Sequence, residues 1–188
     1  LLGACGQYET NLETGARDQI LHFGNGDEPQ DLDPQTVTGI PETHIVMSLF
    51  EGLVSKDPAD LSPRPGVAER WSLSPDQRTY TFYLRPDARW SNGEPVTAGD
   101  FVWSWRRALM PALGNLFAYM FYAIRNTEAF HSGRLSDFSQ VGIRALNDHT
   151  LEVELNDPVP YFLQLLDHHS FYPVNPRVIE RFGAMDAE

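Results

Sequence analysis

A chain of 188 residues that is 41% hydrophobic and 12% aromatic carries enough apolar material for a real core and is not a disordered segment. Its 26 acidic residues outnumber 14 basic ones, giving a formal net charge of -12. That balance argues against nucleic acid and against an anionic membrane surface as partners, since both need a basic face.

Taken in order, Leu2-Gly3-Ala4-Cys5 has the form of a bacterial lipobox: an apolar residue and two small ones before a cysteine. It implies a lipid on the thiol of Cys5 and a protein anchored outside the cytoplasm. With no second cysteine there is no internal disulfide. Residues 6–18 are polar and read as a tether. An apolar run at 19–23 is expected to open the first sheet, stopped by Gly24-Asn25-Gly26 and Pro29. Residues 32–40 read as extended, because the residue before Pro41 is biased away from helix. Pro41 then starts a helix with Ile45, Leu49, Phe50 and Leu53 inward, and Gly52 ends it.

Residues 57–66, rich in Pro, Asp and Ser, read as a surface loop. A hairpin follows, its first strand near 68–73 and its second near 79–85, where Tyr80, Phe82 and Leu84 alternate with Thr81, Tyr83 and Arg85. Asn92-Gly93 and Pro95 mark a turn. Thr97 and Asp100 have the spacing of a capping box, ahead of a helix whose apolar stripe is Phe101, Trp105, Ala108 and Leu109. The aromatic run 117–122 has no decisive period. A short helix is expected at 124–130 and a second hairpin at 141–155, with Leu151, Val153 and Leu155 on its buried face. Asn156-Asp157-Pro158 caps a helix with Tyr161, Leu165 and Phe162 inward, and Pro176 starts a last helix that Gly183 ends. Two antiparallel hairpins interleaved with helices give a mixed α/β (α+β) class.

Chemistry is sparse. Asp167-His168-His169 could suggest zinc, but adjacent strand residues point to opposite faces and no ligand spacing supports a metal. No nucleophile elbow, phosphate loop or dinucleotide fingerprint occurs. No cofactor is implied. Lys56, the one lysine among the bases, reads as compositional bias.

Several motifs, in order and at matching spacing, resemble the family 5 extracellular solute-binding proteins of ABC importers. They are Leu32-Asp33-Pro34, Leu49-Phe50-Glu51-Gly52-Leu53, Pro65-Gly66-Val67-Ala68-Glu69-Arg70-Trp71, Tyr80-Thr81-Phe82-Tyr83-Leu84-Arg85 and Trp90-Ser91-Asn92-Gly93-Glu94-Pro95-Val96-Thr97. Thr38-Gly39-Ile40-Pro41-Glu42, Asp148-His149-Thr150-Leu151 and Pro158-Val159-Pro160-Tyr161-Phe162 are most similar to the oligopeptide-binding branch.

The resemblance implies the N-terminal part of a two-lobed binding protein carrying a small inserted α/β domain. The expected division is a lipoprotein tether at 1–18, the start of lobe I at 19–40, the inserted domain at 41–145 and a return into lobe I at 146–188. It implies a monomer that is not an enzyme, lies in the periplasm or on the cell-envelope exterior, and touches the membrane only through Cys5. It would hold oligopeptides in extended form by main-chain hydrogen bonds and pass them to importer permease subunits. Thr38, Gly39 and Ile40 would offer backbone groups, Phe117 and Tyr119 would wall a side-chain pocket, and His168 would face the cleft. Some relatives carry an acidic residue where this chain has Thr38. Alternatives are dipeptides, murein peptides, haem or nickel chelates as ligand, and, more remotely, a hydrolase using Asp167 and His168.

Overall fold

The computed structural model describes residues 10–21 and 24–182. It opens with α1 (Asn11–Asp18), inside the stretch expected as a tether. The Thr10 hydroxyl accepts from the Glu13 amide and the Glu13 carboxylate accepts from the Thr10 amide, a closed capping box. Gln19 ends the helix in the left-handed region at φ 57°, and the Ile20 amide donates to the Gly15 carbonyl. With that donor committed to the helix end, the expected strand does not form over residues 19–21, and Ile20 and Leu21 are exposed. The rest of that run lies outside the described residues, as do Cys5 and Gly183.

α2 (Ile40–Leu49) starts one residue before Pro41, so Ile40 is helical and not extended. The Gly39 carbonyl accepts from both the amide and the hydroxyl of Thr43, which closes the first turn around Gly39 as N-cap. The helix stops at Phe50, ahead of the expected breaker. Gly52 has another role: a Cβ there would stand 2.9 Å from the Tyr172 ring. The buried side chains of α2 are Glu42 and Val46; of those expected inward, Leu49 is exposed, Ile45 and Phe50 are half-buried, and Leu53, beyond the helix, is buried.

The expected loop at 57–66 contains a strand. β1 (Val54–Lys56) pairs with β2 (Pro63–Pro65) in a separate two-stranded sheet. Two prolines concealed β2, yet an edge strand tolerates them because it needs no donor on its outer side.

The main sheet has four antiparallel strands in the order β3 (Ala68–Leu73), β4 (Thr79–Leu84), β6 (Thr150–Glu154), β5 (Ile143–Asn147). Both expected hairpins are present. The sheet runs across residues 145–146, the expected end of the inserted domain. Tyr80, Phe82 and Leu84 on β4 and Leu151 and Val153 on β6 point into one core, with Leu155 just beyond. Between the hairpins, the Asn92-Gly93 turn forms with Gly93 at φ +86°, a conformation that L side chains rarely adopt.

α3 (Ala98–Ala108) packs across β5 and β6. The Thr97–Asp100 capping box closes as the spacing predicts, and the Asp100 carboxylate also accepts from Trp90 Nε1 at 3.2 Å. Its stripe of Phe101, Trp105, Ala108 and Leu109 is fully buried. Trp105 meets Phe101, Phe121 and Phe171 edge-on at 6.2, 5.9 and 5.6 Å between ring centroids. Its Nε1 donates to the Phe171 carbonyl at 2.8 Å.

The aromatic run becomes a 3-10 helix over Ala118–Ala123. α4 (Thr127–His131) begins three residues later than expected, because Ile124 bridges to Leu155. In α5 (Phe162–Leu165), Phe162 is buried but Tyr161 is exposed. Asn156 does not cap α5: its side-chain amide donates to the Tyr122 carbonyl at 2.9 Å. α6 (Pro176–Phe182) starts at the expected proline.

Candidate functional site

The segment before Thr38 is held rigidly. Arg107 on α3 binds the Asp33 carboxylate at 2.6 Å and the Gln35 side-chain oxygen at 2.7 Å. Gln35, fully buried, donates back to the Ser104 carbonyl at 2.8 Å. Val37 is buried with Val46 and Tyr172 in a second small core. The chain therefore reaches Thr38 with no freedom to sag. From there its main chain is open: among the described residues the Thr38 amide and carbonyl and the Gly39 amide have no hydrogen-bond partner. Thr38 is exposed. A Cβ at Gly39 would stand 1.9 Å from the Glu42 carboxylate, so a side chain there would require Glu42 to shift. Glu42 is itself buried and accepts from the Gln30 amide at 3.0 Å.

A second wall comes from the turn after α5. His169 is buried, and its Nδ1 stands 2.6 Å from the Pro34 carbonyl. A carbonyl can only accept, so Nδ1 carries the proton. This bond joins residues 135 positions apart and ties the histidine turn to the segment leading to Thr38. His168 next to it is half-buried, and its Nδ1 accepts from the Ser170 amide at 3.3 Å. Burial, then the neighbouring His169, then the Lys56 cation hold His168 well below the usual histidine range, at about 4. It therefore stands neutral at physiological pH. Phe117 lies against both rings, at 4.6 Å from His168 and 5.5 Å from His169.

Of the residues singled out in the sequence, the structure brings Phe117 and His168 into contact. Through Pro34 it sets Thr38, Gly39 and Ile40 on the element bonded to the same turn. Ile40 contributes a side chain that is 73% exposed. Tyr119 is exposed and makes no ring contact among the described residues, so it does not share the Phe117–His168 contact.

Lys56 is the residue that sequence reasoning set aside and the structure makes specific. Its Nζ stands 2.5 Å from Asp167 Oδ2, a carboxylate whose side chain is only 7% exposed. Asp167 is thereby committed to a lysine, and His168 bonds a backbone amide, so the Asp167–His168 pair that a hydrolase would use is not formed. Tyr172 was also missed. Burial, then Asp167 and Glu51, push its phenol up to about 12. Among the described residues no cluster of three or more His, Cys, Asp or Glu side chains could hold a metal ion. A groove of about 730 Å³ runs between Asp31, Trp103, Met110 and Ile179, and none of the sequence-predicted ligand residues lines it.

Open main chain at residues 38–39, tied through Pro34 and His169 to the Phe117–His168 contact, is the candidate site of the chain. The chain belongs to the bacterial extracellular solute-binding proteins, family 5, whose middle-region profile matches residues 62–186. It is 46% identical over 172 residues to the periplasmic oligopeptide-binding protein OppA of Escherichia coli (strain K12), covering 90% of this chain and 31% of that protein. It is 40% identical over 156 residues to the periplasmic murein peptide-binding protein MppA of the same organism, covering 82% of this chain and 28% of that protein. The solved structure of Haemophilus influenzae OppA in complex with RPPGFSPFR matches with a TM-score of 0.78 at 40% identity, over 85% of this chain and 31% of that one. The chain thus spans about a third of the length of the curated relatives it matches.

Proposed function

We propose that this chain is part of an extracytoplasmic receptor that captures oligopeptides in extended form and delivers them to the permease subunits of an ABC importer. The observation that carries the reading is the unpaired main chain at Thr38 and Gly39, preceded by a segment that Arg107 and Gln35 hold and that the Pro34–His169 bond ties to the Phe117–His168 contact. An extended peptide completes such an edge with its own amides and carbonyls, so affinity comes from backbone bonds and tolerates varied side chains. Likeness to proteins named for oligopeptide and murein-peptide binding supports the same class. The receptor binds its ligand without turning it over. Lipidation at Cys5 anchors it in the periplasm or on the cell-envelope exterior, where it acts as a monomer.

The test is calorimetric titration of the full-length protein with mixed di- to pentapeptides and with backbone N-methylated versions of the best binder. Binding is expected, tolerant of side-chain exchange. Each N-methyl group that removes a bonded amide should weaken it by about 2- to 10-fold, the net worth of one hydrogen bond. Silence on all peptides, with haem or nickel chelates binding instead, overturns the proposal. Preference for a murein tripeptide would move the ligand within the peptide class.

A further inference from the structure

We propose that the Lys56–Asp167 ion pair is a positioning clamp for the ligand wall, fixing the turn that carries His168 so that its ring stays seated on Phe117. The inference rests on the reading of that wall as part of a peptide site. The turn is bolted on its far side by three side chains: His169 to the Pro34 carbonyl, Trp105 to the Phe171 carbonyl, and Ser104, whose hydroxyl accepts from the Val174 amide and donates to its carbonyl. All three act on residues after His168. The His168 carbonyl accepts from the Phe171 amide at 2.9 Å, and on the near side the His168 amide donates to the Leu165 carbonyl at 3.0 Å, at the end of a four-residue helix.

Asp167 supplies what that short helix cannot. Its carboxylate is buried, and apart from Lys56 Nζ at 2.5 Å its Oδ2 has no donor among the described residues. A buried carboxylate has a steep preference for the one place where its charge is met, so Asp167 stays under Lys56. His168, the next residue, is held with it. The cation arrives from a different piece of structure: Lys56 is the last residue of β1, in the small sheet that stands apart from the main one. The pair therefore couples that hairpin to the histidine turn. Because Lys56 is 46% exposed at its side chain while Asp167 is not, losing the lysine strands a buried charge, whereas losing both partners removes the charge and the clamp together.

Four variants of the full-length protein separate clamp from mere stability: Lys56→Met, Lys56→Arg, Asp167→Asn and the double Lys56→Met/Asp167→Asn. Two readouts are followed, peptide affinity by calorimetry and the NMR cross-relaxation between the His168 and Phe117 ring protons without ligand, which reports their 4.6 Å contact whatever the local charge. Lys56→Met and Asp167→Asn are each expected to weaken binding about tenfold or more, and Lys56→Arg to stay within about threefold of wild type, as for a buried, specific ion pair. The double variant should regain the urea midpoint while its affinity stays low. Its His168–Phe117 ring contact should be weakened or lost, while the Phe130–Phe138 ring contact, remote from the turn, persists. A double variant with wild-type affinity and an intact His168–Phe117 ring contact overturns the clamp, and this holds even if Lys56→Met fails to fold. If wild type binds no peptide, the peptide reading falls. The ligand-free His168–Phe117 ring contact then decides the clamp alone: its loss in the double variant supports the clamp, and its persistence overturns it.

Discussion

Replacing His169 with phenylalanine isolates the hydrogen bond that joins the two walls of the candidate site. The phenyl ring retains the volume and the packing on Phe117 and His168, whose centroids lie 5.5 and 4.2 Å from His169. What disappears is the Nδ1–H donor, 2.6 Å from the carbonyl of Pro34, a buried residue. An unmet buried acceptor costs about 1–3 kcal/mol, more than the net worth of the bond, because the carbonyl cannot return to water. With a urea slope of roughly 2 kcal/mol/M, the unfolding midpoint should fall by about 0.5–1.5 M at an unchanged slope. His169→Asn is the control, since its side-chain amide can still offer a donor to Pro34, and it should lose less than half as much. Urea titrations followed by circular dichroism measure both. A His169→Phe midpoint equal to wild type, or equal losses in both variants, would refute the assignment of the bond as the tie between the segments.

Two further outcomes are expected. Thr97→Ala should lower stability by about 1 kcal/mol, read as a urea midpoint shift, because it leaves the Asp100 amide without its cap; no shift would mean that the helix start is held by packing alone. His168, at about 4 when folded, binds its proton less readily than in the unfolded chain, where it titrates near about 6.5. As pH falls from about 6.5 towards 4 the unfolded state takes up that proton first, so this contribution to stability is complete above pH 6.5 and declines below it. His168→Gln should flatten that part of the slope, and identical pH profiles for the two proteins would sink the assignment.

Much of the scaffold was legible because its signals are local. Alternation along β4 places Tyr80, Phe82 and Leu84 on one face whatever lies beneath, and the Thr97–Asp100 box needs only two side chains three residues apart. The same local rules failed where a competing contact decided. Ile40 was expected to be extended before a proline, but the Gly39 cap drew it into the helix. Gly52 was expected to break a helix and instead makes room for the Tyr172 ring. β2 was hidden by prolines that only its edge position permits.

The sequence by itself determined the family, both hairpins, the capped helix and the aromatic and histidine candidates, because periodicity, caps and motifs are properties of neighbouring residues. Only the tertiary structure decided which of these meet. It seated Phe117 on His168, left Tyr119 out of that contact, gave His169 the Pro34 carbonyl, and turned Lys56 from a compositional oddity into the partner of a buried carboxylate. The physical reason is burial: an ion pair or a hydrogen bond between residues far apart in the chain has no period to announce it. Its worth arises only when folding removes the water that would otherwise satisfy the same groups.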